Sequence, residues 1–235
     1  MDDLGSKRGR THNAENAREA ILDAAEAAFA EHGFDGARVD AIAATAGYNK
    51  SLIFQYFKDK LGLYAQVIRR ADDQTREMQN EALSALPADK TPDAGQVRIR
   101  LANFLGRYFD FLAGHPRILR IFMWEMAEGW QTFSKIVSQR DFDDVDQLAP
   151  VLGWLQKAGL LRSEINPIFQ MTLATLVCHV NLAILPIQKV FLPGVDLSSP
   201  AALERIRAFA IDFILQGLLL APSEAKSGQE NNRPA

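Results

Sequence analysis

The sequence contains little of what catalytic and metal-binding sites require. Cys178 is its only cysteine, which excludes an internal disulfide and any metal site built from several cysteines. The four histidines show no metal-ligand spacing with carboxylates or with the cysteine; they are His12, His32, His115 and His179. The chain also lacks a glycine-rich phosphate loop and a nucleophile elbow. We therefore expect neither an enzyme nor a protein that holds a metal or another cofactor.

Long apolar segments are missing as well. The longest, residues 171–187, is shorter than the roughly 20 residues of a membrane span and is interrupted by polar residues and Pro186. The N-terminus carries Asp2 and Asp3 and no apolar run, so it does not have the pattern of a signal peptide. These features predict a cytoplasmic chain with no membrane partner.

Strong strand patterns are also absent, and the apolar residues recur at helical spacing. With 235 residues and 48% hydrophobic content, the chain can bury a substantial core. Its net charge of −3 argues against a protein that coats nucleic acid everywhere, but the charge is uneven. Between residues 45 and 60, Lys50, Lys58 and Lys60 face only Asp59, a local net charge of +2. The sequence thus predicts an all-α protein with a local basic surface.

Residues 33–60 have the pattern of two short helices joined by a tight turn. Val39, Ile42, Ala43 and Ala46 fall on one helical face, and Gly47 follows where the chain must turn. In the next helix, Asn49 is placed to cap the first turn, and Ile53 and Phe57 point to the core. A longer amphipathic helix precedes them, with a capping-box pattern at Asn16 and Glu19 and with Gly33 past its end. Three helices in this order predict a helix-turn-helix, homeodomain-like DNA-binding domain.

This segment, residues 14–71, resembles the N-terminal domain of the TetR/AcrR family of bacterial transcriptional regulators. The match is carried by Ala24, Ala25, Phe29, Gly33, Phe34, Val39, Ile42, Ala43, Ala46, Gly47, Ile53, Tyr56, Phe57, Lys60, Leu61, Leu63 and Tyr64. The resemblance implies a homodimeric regulator whose second domain binds a small molecule and releases DNA. Repression of a palindromic operator is the expected mode, and activation is not excluded.

Candidate DNA contacts follow from the positions on the second short helix. We expect Lys50, Ser51, Phe54 and Gln55 to contact base edges, and Arg38, Asn49, Tyr56 and Lys60 to contact phosphates; Tyr48 in the turn completes the set. Three positions depart from the family pattern. Arg38 stands where a capping Thr or Ser is usual, Phe54 where Tyr is common, and Ser51 where a smaller residue is usual. These departures affect the operator sequence rather than DNA binding itself.

Outside this domain we predict a flexible basic arm over residues 1–13, a helical ligand-binding and dimerisation domain over 72–221, and a disordered tail over 222–235. For the arm, two interpretations stay open: a solvated tail, or a contact with phosphates or the minor groove. Pro87 to Gly95 and the prolines from Pro186 to Pro200 predict loops.

The helix that begins at Pro167 carries two apolar stripes. One contains Phe169, Leu173, Leu176, Val177, Val180 and Ile184; the other contains Met171, Ala174, Cys178, Leu182 and Leu185. The last helix, residues 201–221, shows the same character through Ile206, Ala210, Phe213, Ile214, Gly217 and Leu218. A helix that is apolar on nearly all sides is buried on nearly all sides. A second copy of the chain is the simplest partner, which predicts a homodimer through a four-helix interface; an ordinary core helix is the alternative.

Residues for a ligand are harder to identify. An aromatic-rich set could line an apolar pocket or form ordinary core: Phe104, Tyr108, Phe111, Met123, Trp124, Trp130 and Phe133. Glu125, His179 and Asn181 could orient polar groups of a ligand. From these we select Phe104, Tyr108, Trp124 and His179 as candidate contacts with a small, mostly apolar effector. An enzyme and a helical adaptor that uses the hairpin for protein contacts are the competing functions.

Overall fold

The structure is a computed structural model that describes residues 3–84, 93–137, 143–197 and 199–219. Within these ranges it contains eleven helices and no named strand, which confirms the predicted all-α fold. In chain order they are α1 (Asp3–Gly36), α2 (Val39–Ala46), α3 (Lys50–Phe57), α4 (Lys60–Ser84), α5 (Ala94–Gly114), α6 (Pro116–Ala127), α7 (Gln131–Val137), α8 (Asp143–Lys157), α9 (Pro167–Ala183), α10 (Leu185–Phe191) and α11 (Pro200–Leu218). The predicted tail, 222–235, lies outside the described residues.

The chain divides into two compact units. The first contains Met1–Asp73 and His115–Asp141, and the second contains Gln74–Gly114 and Phe142–Ala235. The predicted helix-turn-helix domain, 14–71, falls within the first unit. That unit also contains α6 and α7, which lie within the range 72–221 predicted for the second domain. Packing explains the difference, because Ile121 and Ile136 from these two helices fill the same core as Ile21, Phe29 and Leu63 of the first four helices.

The start of α1 also differs from prediction. The helix begins at Asp3 and so includes most of the segment expected to be a flexible arm. Asn16 therefore lies inside a helix and does not begin one, and Glu19 forms an ion pair with Arg70 of α4 instead of closing a capping box. Residues 3–15 contain no proline, so nothing in the sequence forces the helix to stop there.

The sequence correctly predicted the turn that joins α2 and α3. Gly47 adopts a left-handed conformation, with φ of 76°, and ends α2. The side-chain oxygen of Asn49 accepts a hydrogen bond of 2.8 Å from the backbone N–H of Leu52, and this cap begins α3. Ile42, Ile53 and Phe57 are buried as expected.

The second unit is built around α5, α8, α9 and α11. Its buried side chains include Leu105 and Leu112 of α5, Leu152 of α8 and Leu215 of α11. The short helix α10 lies in a segment that we had predicted as a loop. Pro186 stands in its first turn, where proline favours the start of a helix because no hydrogen-bond donor is needed there. No single helix among the described residues is long and apolar enough to cross a membrane. Helices α9 and α10 reach that length and apolar composition only together, and they are bent by 50° relative to each other.

Candidate nucleic-acid interface

Helix α3 presents a mixed polar and aromatic surface to solvent. Lys50, Ser51, Phe54 and Gln55 are exposed, whereas Ile53 and Phe57 on the opposite side are buried in the core of the first unit. The helix is only eight residues long and carries no acidic side chain. A short helix of this kind, exposed along one face, can enter a major groove and place four side chains at base edges.

Lys50 is already engaged with neighbouring side chains. Its Nζ lies 3.0 Å from an oxygen of Asp40 on α2 and 5.8 Å from the centre of the Phe54 ring. The pair with Asp40 is exposed, so it contributes at most about 1 kcal/mol and can be exchanged for another acceptor. Asp40 is not among the predicted site residues, although an acidic residue in the first turn is a common signal of a helix start.

The candidate phosphate contacts surround α3. Arg38 precedes α2 in an extended conformation; its side chain is exposed and makes no capping hydrogen bond. Tyr48 and Asn49 in the turn are exposed, and Tyr56 is half-buried. The structure thus brings all of these residues to one region of the first unit.

Lys60 occupies the start of α4. Its Nζ donates a hydrogen bond of 3.2 Å to the carbonyl oxygen of Asp35 and lies 4.7 Å from the centre of the Phe34 ring. This ammonium group therefore also stabilises the end of α1, a role that the sequence did not reveal. Its charge stays close to the recognition surface, since α4 begins three residues after α3 ends.

The junction between α3 and α4 depends on Gly62. A Cβ atom at this position would overlap the carbonyl oxygen of Phe57, the last residue of α3. The backbone N–H of Gly62 donates to the Asp59 side chain at 2.7 Å, and Lys58 takes a positive φ of 71° to complete the turn. Gly62 is not among the predicted site residues, although an isolated glycine inside a helical pattern often has a packing reason.

Helix α6 is held against α1 and α4 by buried polar contacts. The hydroxyl of Tyr64 donates a 2.6 Å hydrogen bond to Glu125, whose second oxygen accepts from the backbone N–H of Phe133 at 3.0 Å. Burial, together with this hydrogen bond, raises the pKa of Tyr64, so the phenol stays protonated and donates. Glu125 is only 2% exposed. Its two partners show a structural role for a residue that we had considered for ligand binding.

The four candidate ligand residues fall in two different units. Trp124 is in the first unit, where its indole N–H donates 3.2 Å to the carbonyl of Ala30 and its ring faces Gly33. Phe104, Tyr108 and His179 are in the second unit. The Tyr108 ring lies 6.0 Å from that of Phe104 and 5.6 Å from that of His179.

His179 is almost completely buried. Its Nδ1 lies 2.8 Å from the carbonyl of Thr175, which fixes that nitrogen as the donor, and its Nε2 lies 3.2 Å from the hydroxyl of Tyr108, which then donates to it. Burial lowers the pKa of His179, so the neutral ring is favoured. Burial also raises the pKa of the neighbouring Cys178 to about 12, which makes this thiol a poor nucleophile.

A second exposed surface lies on the last long helices. We define the apolar face as the exposed hydrophobic residues of α9, of its C-terminal end and of α11: Phe169, Leu173, Val180, Ile184, Phe209 and Phe213. Phe209 and Phe213 are 71% and 61% exposed, and their rings stack with centres 6.4 Å apart. The opposite side of α9 is buried through Ala174, Cys178 and Leu182. One of the two predicted stripes is therefore core, and several members of the other are left open to solvent.

Two family models match the chain. The model described as bacterial regulatory proteins of the tetR family covers residues 21–67, and the model described as the tetracyclin repressor-like C-terminal domain covers residues 99–214. The first includes α2 and α3 with their capping residues. The second begins in α5 and ends in α11.

Individual proteins give the same result. The chain is 39% identical to the transcriptional repressor SCO4008 of Streptomyces coelicolor over 46% of this chain and 48% of that protein, so the match spans about half of that relative. It is 26% identical to the transcriptional repressor NicS of Pseudomonas putida over 89% of this chain and 95% of that one.

Among solved structures, the transcriptional regulator SCO4942 of Streptomyces coelicolor is 28% identical, with a TM-score of 0.56, over 86% of this chain and 98% of that chain. These relatives are regulators and not enzymes, as the sequence predicted for this chain. Since one family accounts for both the N-terminal helices and the C-terminal helical region, this chain belongs to the TetR family of bacterial transcriptional regulators.

Proposed function

We propose that the protein is a cytoplasmic repressor that binds a two-fold symmetric operator as a homodimer and is released by a small molecule. The observation that carries the proposal is the exposed face of α3. It presents Lys50, Ser51, Phe54 and Gln55 on a helix whose other side is fixed in the core. In this arrangement side chains reach base edges while the backbone position stays constant.

Recognition is divided between two groups of residues. Lys50 and Gln55 have hydrogen-bonding groups for base edges, Ser51 adds a small donor and acceptor, and the Phe54 ring suits a thymine methyl group. Arg38, Tyr48, Asn49, Tyr56 and Lys60 hold the phosphates on either side. Lys50 must leave Asp40 before it can contact a base. This exchange adds specificity, because Lys50 stays paired with Asp40 wherever the base offers no hydrogen-bond acceptor.

Dimerisation through the apolar face is the second part of the proposal. Six large hydrophobic side chains on α9, its end and α11 are 39% to 71% exposed. A monomer that left such a continuous patch in water would be prone to association. If two copies pack these helices together, each supplies two helices to a four-helix interface, and the two α3 helices are related by a two-fold axis.

Effector binding is the third part. Residues 99–214 match the tetracyclin repressor-like C-terminal domain and include most of the second unit, and the sequence of α4 begins in the first unit and ends in the second. A molecule that binds the second unit and shifts α4 would change the separation of the two recognition helices. Because binding is linked, DNA and effector then lower each other's affinity by the same factor, typically about 5- to 150-fold. We infer repression because SCO4008 and NicS, two of the three relatives described above, are named as repressors.

The experiment is binding of the full chain to a duplex from the promoter region beside its own gene. Fluorescence anisotropy at several salt concentrations should show affinity that falls steeply as salt rises, with two protomers on each duplex. An unrelated duplex of equal length is the control. Equal affinity for both duplexes, or no binding to either, would contradict a specific regulator and favour the helical adaptor.

A further inference from the structure

The second unit contains an open cleft of about 310 Å³ between α4, α5 and α11. It is lined by Met78, Glu81, Ala82, Arg100, Asn103, Phe104, Arg107 and Arg207. Three of these side chains are arginines and one is an acid, in a chain whose net charge is −3. The residues that line the cleft therefore carry two more positive than negative charges.

Two of the arginines have carboxylate partners. Arg107 pairs with Glu81 inside the cleft. The Nε of Arg207 lies 2.9 Å from Asp110, and its terminal nitrogen lies 3.4 Å from Glu204. Arg207 can lie along α5 because the position beneath it is Gly106, where a Cβ atom would overlap the guanidinium.

Arg100 differs from these two. Among the described residues its guanidinium has no ion-pair partner, and its Nε is buried without a hydrogen-bond acceptor. A buried donor that is left unpaired is costly, and each such group in a native protein requires an explanation, such as a bound ion or water. Arg100 therefore offers the cleft a charged donor that an anion would satisfy.

Apart from Asn103, the uncharged residues that line the cleft are apolar. Met78, Ala82 and Phe104 form this part of the cleft, and Phe104 is only 5% exposed. We propose that the cleft binds a small amphipathic anion, with a carboxylate or phosphate on Arg100 and an apolar chain along Met78 and Phe104. This proposal rests on the proposed effector-controlled function and changes the expected ligand from mostly apolar to anionic.

The test uses three probes with the same eight-carbon chain: octanoate, octyl phosphate and 1-octanol. Isothermal titration calorimetry of the full chain, without DNA, should show that at least one anion binds at least about tenfold more tightly than the alcohol, which is the size of one charge-assisted hydrogen bond. A preference between the two anions identifies the head group. Equal affinity for all three probes would overturn the proposal, because it would show apolar binding alone.

Variants on α5 locate the anion. Arg100→Met keeps an apolar stem but removes the charge, and should weaken the preferred anion about tenfold without changing 1-octanol. Arg98→Met is the matched control, since Arg98 is on the same helix but pairs with Asp212 and does not line the cleft. It should change anion affinity less than about twofold. If Arg100→Met leaves the affinity unchanged, or if both variants weaken it equally, the site is elsewhere.

The readout separates this proposal from the proposed function. Anion binding is measured in the absence of DNA, so a chain that binds octanoate but no operator would sustain the cleft and refute the regulator. A chain that binds its operator but none of the anions would overturn the cleft alone.

Discussion

The exposed face of α3 and the apolar face of α9 and α11 are two surfaces that the chain leaves open, and their chemistry is opposite. The first presents Lys50, Ser51 and Gln55 beside one aromatic ring, whereas the second presents large hydrophobic side chains such as Phe209 and Phe213. Both lie on helices whose opposite side is well buried. The difference indicates different partners, since a polar, basic surface suits a phosphate-rich duplex and an apolar one suits another protein surface.

In the proposed dimer, the second surface supports the first. A single eight-residue recognition helix offers few base contacts, so two of them on one duplex are needed for a long specific site. In the proposed dimer, the apolar face brings the two copies of the chain together. Changes to the apolar face should therefore weaken DNA binding without touching a DNA contact, whereas changes to α3 should leave the dimer intact.

The largest expected effect is at the apolar face. Phe213→Glu would bury an unpaired charge between two subunits and should weaken dimerisation by about 3–5 kcal/mol. Sedimentation at micromolar concentration measures the oligomeric state directly. Ile99→Glu is the control, because Ile99 is 54% exposed on α5, outside that face, and this variant should stay dimeric. A monomeric wild-type chain would contradict the assignment of the surface.

A smaller effect is expected where α3 is joined to α4. Gly62→Ala would place a methyl group against the carbonyl of Phe57 and should destabilise the protein by about 1–3 kcal/mol, measured as the urea unfolding midpoint. Gly153→Ala in α8 has open space around the new Cβ and should be neutral or stabilising by up to about 1 kcal/mol. Equal stability of wild type and Gly62→Ala would show that the junction is not tight.

Within the DNA surface, two lysines should behave differently. Lys60→Ala removes a proposed phosphate contact, so it should weaken all duplexes by a similar factor and reduce the salt dependence by about one counterion. Lys50→Ala removes a proposed base contact, which should cost about 1–3 kcal/mol and change which half-site is preferred. Thermal unfolding checks that both variants are folded. The division fails if Lys60→Ala alters sequence preference and Lys50→Ala does not.

The smallest effect concerns a buried residue that belongs to neither surface. The pKa of His179 is lowered in the folded state from the ordinary 6.5. The unfolded chain therefore binds a proton first as pH falls below 6.5, and stability that is present at higher pH is lost until the folded pKa is reached.

His179→Gln should flatten this loss, which urea unfolding at about pH 7.5 and about pH 5.5 would measure. Because the other titrating groups are unchanged, subtraction of the two pH profiles isolates the histidine. A variant with the wild-type pH profile would show that His179 is not the group responsible.

Sequence and structure agree best where one residue determines local geometry. Gly47 and Asn49 defined the turn and the start of α3, because a left-handed residue and a capping side chain act through immediate neighbours. The predicted stripe of Ala174, Cys178 and Leu182 is buried. Helical periodicity was enough for that, since burial of a face does not depend on which helix covers it.

Features that depend on distant contacts were not predictable. Trp124 is held by the carbonyl of Ala30, which lies 94 residues earlier in the chain. The residues next to Trp124 in the sequence therefore do not reveal that it belongs to a different unit from Phe104 and Tyr108. The same is true of the cleft, where Arg100 and Arg207 come from α5 and α11. The predicted start of α1 near Asn16 was wrong for another reason. A capping pattern marks the start of a helix only when the residues before it are not themselves helical.

The most direct test of the two-surface account is selection of bound sequences from a random duplex library by the full chain. The account predicts an inverted repeat whose half-site centres are roughly 34–36 Å apart, or a multiple of that spacing, because a two-fold dimer presents two copies of α3. Phe213→Glu, selected in parallel, should lose the repeat. Recovery of a single unrepeated motif by the wild-type chain, or no enrichment at all, would contradict it.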